Sequence, residues 1–349
     1  MPENDISAVN FAALNQHAVS QPLVTHLYTA DPSAHVFNNR IYIYPSHDVE
    51  NDTPFDDLGS HFAMQDYHVF SIAEPGGEVT DHGIALHVAD VPWAEKQMWA
   101  PDAAEKEGVF YLYFPAKDKA GIFRIGVAEA NKPEGPFIAD PEPIPGSFSI
   151  DPAVFKDEDG THYLYFGGLW GGQLQRWRSG VFNATQPGPF AHLPAPNEPA
   201  LCAKMAMLHS NMKSFAEPPR DIEILDEAGN PLLAGDNNRR FFEGPWVHKY
   251  KGLYYFSYST GDTHLLCYAT ATSPYGPFTY RGVLLEPVVG WTTHHSIVQF
   301  NHKWYLFYHD SSLSEGVTHL RCIKMTELIY NDDGTIQPIK PYGDFILHN

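Results

Sequence analysis

A short aromatic strand behind a tight turn recurs five times along the chain, and this repetition limits the possible folds more than any other feature. The instances are Asn38-Asn39-Arg40-Ile41-Tyr42-Ile43-Tyr44, Glu107-Gly108-Val109-Phe110-Tyr111-Leu112-Tyr113-Phe114 and Asp159-Gly160-Thr161-His162-Tyr163-Leu164-Tyr165-Phe166. Lys251-Gly252-Leu253-Tyr254-Tyr255-Phe256-Ser257-Tyr258 and Asn301-His302-Lys303-Trp304-Tyr305-Leu306-Phe307-Tyr308 complete the set. Gly or Asn before a β-branched or aromatic run is a hairpin signal. A second element follows two of the repeats. Ile125-Gly126-Val127-Ala128-Glu129-Ala130 leads into Gly135-Pro136-Phe137, and Leu266-Cys267-Tyr268-Ala269-Thr270-Ala271 leads into Gly276-Pro277-Phe278.

Helical periodicity is nearly absent, so the expected class is all-β. Five four-stranded units arranged radially make a five-bladed β-propeller with a site in its central channel. A β-sandwich with unrelated aromatic strands is the alternative, and the matched downstream turns speak against it. The propeller is expected over residues 21–349, after an N-terminal extension at 1–20 and without a C-terminal accessory domain. The unevenly spaced repeats leave one long insertion, 171–240, expected to decorate the rim.

Composition narrows the function. The 349 residues carry 22 Lys and Arg against 42 Asp and Glu, a net charge of −20, so the basic stripe that phosphate backbones require is missing and nucleic acid is not expected as a partner. The aromatic residues, 19 Tyr, 22 Phe and 7 Trp, suit strands and the stacking of sugar faces. Cys202, Cys267 and Cys322 are odd in number and far apart, and read as free buried thiols in a reducing compartment. Residues 1–19 are polar with acids where a signal peptide needs bases, and no apolar run approaches a membrane span. The expectation is a soluble, cytoplasmic protein without membrane contact, acting on short oligomers, with homo-oligomerisation left open.

Three acids stand just upstream of three repeat strands, in Thr29-Ala30-Asp31-Pro32-Ser33, Ser149-Ile150-Asp151-Pro152-Ala153 and Phe242-Glu243-Gly244-Pro245-Trp246. Any one of them reads as a turn, because Asp-Pro and Gly-Pro are turn formers. Three at matched positions would reach one cavity, since the innermost strand of each blade lines the channel. Inverting glycoside hydrolysis needs a carboxylate that deprotonates water and a carboxylic acid that protonates the leaving oxygen. A third carboxylate and partial burial can keep that acid protonated.

With these motifs the chain resembles glycoside hydrolase family 43, a group of five-bladed propellers with inverting xylosidases, arabinofuranosidases and arabinanases. The resemblance implies Asp31 as base, Asp151 as the residue that tunes the acid, and Glu243 as the acid. It runs from about Pro22 to near the end and is nearest to the single-domain β-xylosidase type.

The resemblance also implies a role for Trp291-Thr292-Thr293-His294-His295-Ser296-Ile297, where the family often places a His near a central, largely water-coordinated cation, usually calcium. His294 fits that role, with His295 in reserve. A lone imidazole is an unusual calcium ligand, and the alternative is that His294 bonds an acid or a sugar hydroxyl. Trp99 and Asp102, in Trp99-Ala100-Pro101-Asp102, are candidate pocket residues. Arg321 is another, from a region where the family often brings an Arg to the sugar. His35, Phe37 and Trp246 are further candidate walls.

The function expected is release of xylose from the non-reducing end of β-1,4-xylo-oligosaccharides. α-L-Arabinofuranosidase or endo-arabinanase activity is the alternative, because xylopyranose and arabinofuranose present similar hydroxyls. From another class, a non-catalytic carbohydrate-binding propeller would not need three channel acids. An oxygenase with four iron-binding histidines would need His where acids stand, and a retaining fructosidase would need a different nucleophile motif.

Overall fold

The computed structural model describes residues 9–291 and 294–345. Helix α1 (Phe11–His17) starts at Asn10, whose side chain accepts the N–H of Ala13. Then come β1 (Tyr28–Phe37), β2 (Arg40–Asp48), β3 (Asp66–Ile72) and β4 (Val79–His87), paired in that order as the first blade. The second blade contains β5 (Ala94–Lys96), β6 (Asp102–Lys106), β7 (Val109–Asp118), β8 (Phe123–Ala130) and β9 (Ile138–Ala139). The third contains β10 (Ala153–Lys156), β11 (His162–Phe166), β12 (Ala203–Met207) and β13 (Arg220–Ile222). In the fourth, β14 (Ile224–Leu225) adds in parallel to β18 (Phe278–Leu285), outside β15 (Glu243–Tyr250), β16 (Leu253–Ser259) and β17 (Leu266–Ala271). The fifth is β19 (His295–Phe300), β20 (Lys303–Asp310) and β21 (Cys322–Leu328).

The repeated turns are what produce this regularity. Asn38-Asn39, Glu107-Gly108, Lys251-Gly252 and Asn301-His302 are two-residue hairpin loops with positive φ at both positions. That backbone twist matches the twist of the strands it joins. The third repeat departs from this pattern: Lys156 pairs with His162 across a longer loop. Both Gly-Pro-Phe turns tie one blade to the one before it, through Phe137 N–H to Ala85 O and Phe278 N–H to Glu223 O, each 2.9 Å.

The apolar residues form five clusters, one at each seam between neighbouring blades. On β7, Phe110, Leu112 and Phe114 face the first blade, whereas Tyr111 and Tyr113 face the third. Burial on both faces is why the repeat strands read as almost unbroken apolar runs. The inner strands β1, β6, β10, β15 and β19 touch in a closed ring. The N-terminal segment helps to close it, with Leu23 N–H to Ile323 O and Thr29 N–H to Arg321 O along β21, and with Leu14 of α1 buried in the seam between the fourth and fifth blades.

Two expectations need correction. The fifth unit shows three strands among the described residues, not four. The 171–240 segment is more than rim decoration, because it supplies β12, β13 and β14. These strands are short and lack the aromatic run that marks the others. Cys202, Cys267 and Cys322 are free. Among the described residues no helix is long and apolar enough to cross a membrane.

Candidate active site

Asp31 and Glu243 enter the channel through local breaks in their strands, and Asp151 from the turn just ahead of β10. The β1–β2 register shifts between Ala30 and Ser33, and the β15–β16 register shifts between Glu243 and Trp246. Each break spans a proline, Pro32 or Pro245, which has no N–H to lose from the ladder. Asp31 and Asp151 take positive φ, 50° and 58°, which turns their side chains out of the regular alternation. Gly244 also has positive φ, and a Cβ there would come within 2.5 Å of the His294 ring. Only glycine lets His294 pack against the start of β15.

Asp31, Asp151, Glu243, Trp99, His294 and Arg321 all line one pocket of about 700 Å³, counting its open mouth. Asp31 is held from several sides. Arg321 donates to its Oδ1 at 3.0 Å, Ser46 donates to its Oδ2 at 2.6 Å, and its own N–H donates to His309 Nδ1 at 2.9 Å. Burial alone would raise the proton affinity of Asp31, but Arg321, His309 and His294 outweigh it and bring the pKa down to about 2. Asp31 is therefore ionised. Arg321 is fixed in turn by a two-pronged bond to Asp48, 2.8 Å on each side, and lies over the Phe62 ring.

Burial and the Asp31 charge push Glu243 up to about 8, against the pull of Arg321. Asp151 is also raised, by burial and then by the charges of Glu243 and Asp31. Each therefore holds its proton more tightly than an ordinary carboxyl does. Asp151 Oδ2 accepts the Gly244 N–H at 2.9 Å, a bond that favours its charged form without outweighing burial, and Glu243, raised to about 8, keeps its proton near neutral pH. His294 is buried, which lowers its proton affinity, and its Nδ1 lies 3.8 Å from Asp31 Oδ1. Thr292 and Thr293, in the same motif, lie outside the described residues.

Four expected pocket residues are elsewhere. Asp102, His35, Phe37 and Trp246 do not line the pocket. They lie further along the inner strands, where the strand direction carries their side chains below the acids. Asp102 accepts from His35 at 2.6 Å and from the Val154 N–H, His35 stacks on Phe37 and packs against Trp246, and Trp246 donates to Ile297 O at 3.1 Å. His295 is also outside, its Nε2 2.6 Å from Ser257 Oγ. It points away from His294, as neighbours on a strand do.

Other pocket residues come from segments without a repeat signature. The 49–65 loop brings Phe55, Asp56, His61 and Phe62, and the turn at 169–172 brings Trp170 and two glycines. A Cβ on Gly171 would lie 2.4 Å from Leu58 O, so glycine is what lets this turn meet the loop. Asp48 and His309 were also missed. Both stand at the far end of a repeat strand, a position that can be read from the repeat alignment once the strand ends, and not only its turn, are compared.

The family model described as glycosyl hydrolases family 43 matches residues 80–184. A protein from Humicola insolens named xylosidase/arabinosidase 43A is 60% identical over 325 residues, 92% of this chain and 99% of that protein. A GH43 β-xylosidase/α-arabinofuranosidase from a compost microbial metagenome, solved with xylotriose in a calcium-free form, is 62% identical and superposes with a TM-score of 0.90 over 93% of this chain and 98% of its own. A GH43_1 enzyme from Xanthomonas citri, solved with xylotriose, is 60% identical with a TM-score of 0.90, covering 96% of this chain and 97% of its own.

Proposed function

The chain belongs to glycosyl hydrolases family 43, and on that premise we propose that it is an inverting exo-β-xylosidase on short xylo-oligosaccharides with α-L-arabinofuranosidase as a second activity. One observation carries the reading: a single pocket holds an ionised Asp31 together with a Glu243 that keeps its proton. That is the pair of protonation states that single-displacement hydrolysis requires.

In the proposed reaction Asp31 takes a proton from water as the oxygen attacks the anomeric carbon. Glu243 gives its proton to the glycosidic oxygen as that bond breaks, and the configuration at carbon inverts. Asp151 anchors the Gly244 amide beside Glu243, while burial and the Asp31 charge keep the acid protonated until transfer. Arg321 keeps Asp31 ionised and placed. Phe62, Trp99, Trp170 and Trp291 supply apolar faces for a sugar ring. The side chains of Asp102, His35 and Trp246 pack together further along the inner strands, an arrangement that suits a chain end better than a threaded polymer. The second activity rests on the similarity between xylopyranose and arabinofuranose hydroxyls and on the double names of the relatives.

Calcium enters the proposal through His294 alone. The ring is buried and disposed to be neutral, so it fits as one nitrogen donor. The nearest carboxylates are engaged, Asp31 by Arg321 and Ser46 and Asp102 by His35, so the remaining ligands of a calcium ion there would be water oxygens. Such an ion would supply positive charge at the channel side of Asp31.

The test is hydrolysis of an aryl β-D-xyloside and an aryl α-L-arabinofuranoside with and without chelator, following the first-formed anomer by NMR. Faster cleavage of the xyloside, with α-xylose formed first, is expected. β-Xylose as the first product would overturn inversion, and cleavage of neither glycoside would overturn the exo-xylosidase reading.

A further inference from the structure

Away from the pocket, three side chains that bind metals well stand together: His47, Asp66 and His68, with one donor atom from each within 4.8 Å of the others. Strand register explains why. β2 and β3 pair Ile41 with Ile72 and Ile43 with Phe70, which extrapolates to His47 opposite Asp66. Pro45 falls opposite His68 and has no N–H, and the β2–β3 ladder stops short of it. Beyond that point side chains link the strands, and His47 Nδ1 is 2.7 Å from Asp66 Oδ1. His68, two residues from Asp66, shares its face, and its Nε2 lies 4.0 Å from the same oxygen.

The far side of His68 is what distinguishes this cluster from an ordinary ion pair. Its Nδ1 is 3.0 Å from Asp81 Oδ1, which also accepts the Gly83 N–H, and His26 Nε2 holds the other Asp81 oxygen at 2.8 Å. A neutral ring that donates through Nδ1 turns the lone pair of Nε2 towards Asp66, so two acceptors face each other. Carboxylate–histidine backing of this kind orients metal-binding imidazoles.

We infer that His47, Asp66 and His68 form a site for a divalent transition ion of the zinc class, separate from the catalytic pocket. Two imidazole nitrogens, one carboxylate oxygen and a water match the donor set and number that zinc takes, and the mixed nitrogen set disfavours calcium. At zinc bond lengths tetrahedral donors lie roughly 3.3 Å apart, between the present 2.7 and 4.0 Å, so small side-chain rotations close the site. Binding displaces the proton between His47 and Asp66 to solvent.

The position gives the site a use. His47 and Asp66 flank the two ends of the 49–65 loop that carries Phe55, His61 and Phe62 into the pocket. A metal there ties the neck of that loop and steadies one wall of the sugar site from outside.

The experiment is calorimetric titration of the untagged, metal-stripped full chain with Zn²⁺, alongside thermal melting and hydrogen exchange of the loop. Wild type is expected to bind a zinc ion that His68→Gln and Asp66→Asn each lose, that His294→Ala retains and that Ca²⁺ does not displace. Asp81→Asn is expected to weaken it about 10–100-fold. Zinc should raise the melting temperature and slow exchange in 49–65 in wild type, and do neither in His68→Gln. Unchanged stoichiometry in His68→Gln, or no zinc bound by wild type, overturns the inference. Should a variant fail to fold, Co²⁺ on wild type decides: intense tetrahedral d–d bands support the site, and a weak octahedral spectrum overturns it.

Discussion

Asp31 at the pocket and Asp102 beneath it are both buried aspartates on inner strands, each within 3.0 Å of a basic side chain. Their surroundings separate them. Asp102 accepts from His35 and from the Val154 N–H, is wholly enclosed, and ties β1, β6 and β10 together. Asp31 is pinned by Arg321 and Ser46 yet lines an open pocket. A carboxylate with both oxygens engaged and no open space beside it holds strands in place. One that is charged and faces open space is able to accept a proton from water. Asp102 does the first, and Asp31 is arranged for the second.

The largest break in this comparison is expected from Asp31→Asn. Turnover of an aryl xyloside should fall about 10³-fold or more, within the range for loss of a general base, while the protein still folds, with a lower melting temperature near pH 7 because Arg321 loses its charged partner. Azide is expected to restore part of the turnover, because the small nucleophile needs no deprotonation. A variant that retains more than a tenth of its activity removes Asp31 from the chemistry.

Glu243→Gln comes next and sharpens the comparison through pH. In the proposed mechanism Glu243 works protonated and Asp31 works ionised, so activity should fall as pH rises through about 8 and also as pH falls towards 2. In the Gln variant the alkaline limb should vanish, with xylobiose losing about 10²–10⁴-fold and an activated aryl xyloside much less. Stability carries opposite signs for the two groups. Between 4.5 and about 8 the folded state binds the Glu243 proton more tightly than the unfolded chain does, so stability drains away as pH rises through that window. Asp31 contributes stability above 3.8 that is lost as pH falls towards 2. Melting curves across pH check both, and an alkaline limb that survives in Glu243→Gln argues against it as the acid.

The sequence carried much of this because the propeller writes its turns into the chain. Asn38-Asn39 and Lys251-Gly252 are visible as turns since positive φ narrows the choice of residue, and the double-sided burial of β7 leaves an apolar run no sandwich face would need. The acids were legible for a related reason: the strand breaks that aim Asp31 and Glu243 need a proline, and proline shows in the text. Depth along a strand does not show. Asp102, His35, Phe37 and Trp246 stand in motifs that look as good as that of Asp31, yet a few residues along an inner strand move a side chain from pocket to packing. Arg321 was found while its anchor Asp48 was not, because that pairing joins the first and last blades. Phe62 and Trp170 arrive on irregular loops, whose course depends on contacts such as Gly171 against Leu58.

Asp102→Asn is the quieter counterpart of Asp31→Asn. The amide keeps one oxygen, which can serve either His35 or the Val154 N–H, and turns an NH₂ towards the other donor. The cost expected is that of one buried unmet donor, about 1–3 kcal/mol, read as a lower denaturation midpoint at unchanged denaturant slope. Trp246→Phe should cost less, about 1 kcal/mol, since it removes the bond to Ile297 O but leaves a ring against His35. Both variants should keep kcat on the aryl xyloside within about tenfold of wild type, because neither residue touches the space where sugar would sit. If Asp102→Asn instead loses activity as deeply as Asp31→Asn while keeping its stability, the division between an aspartate that packs and one that reacts fails. The proton path would then have to run down the channel through His35.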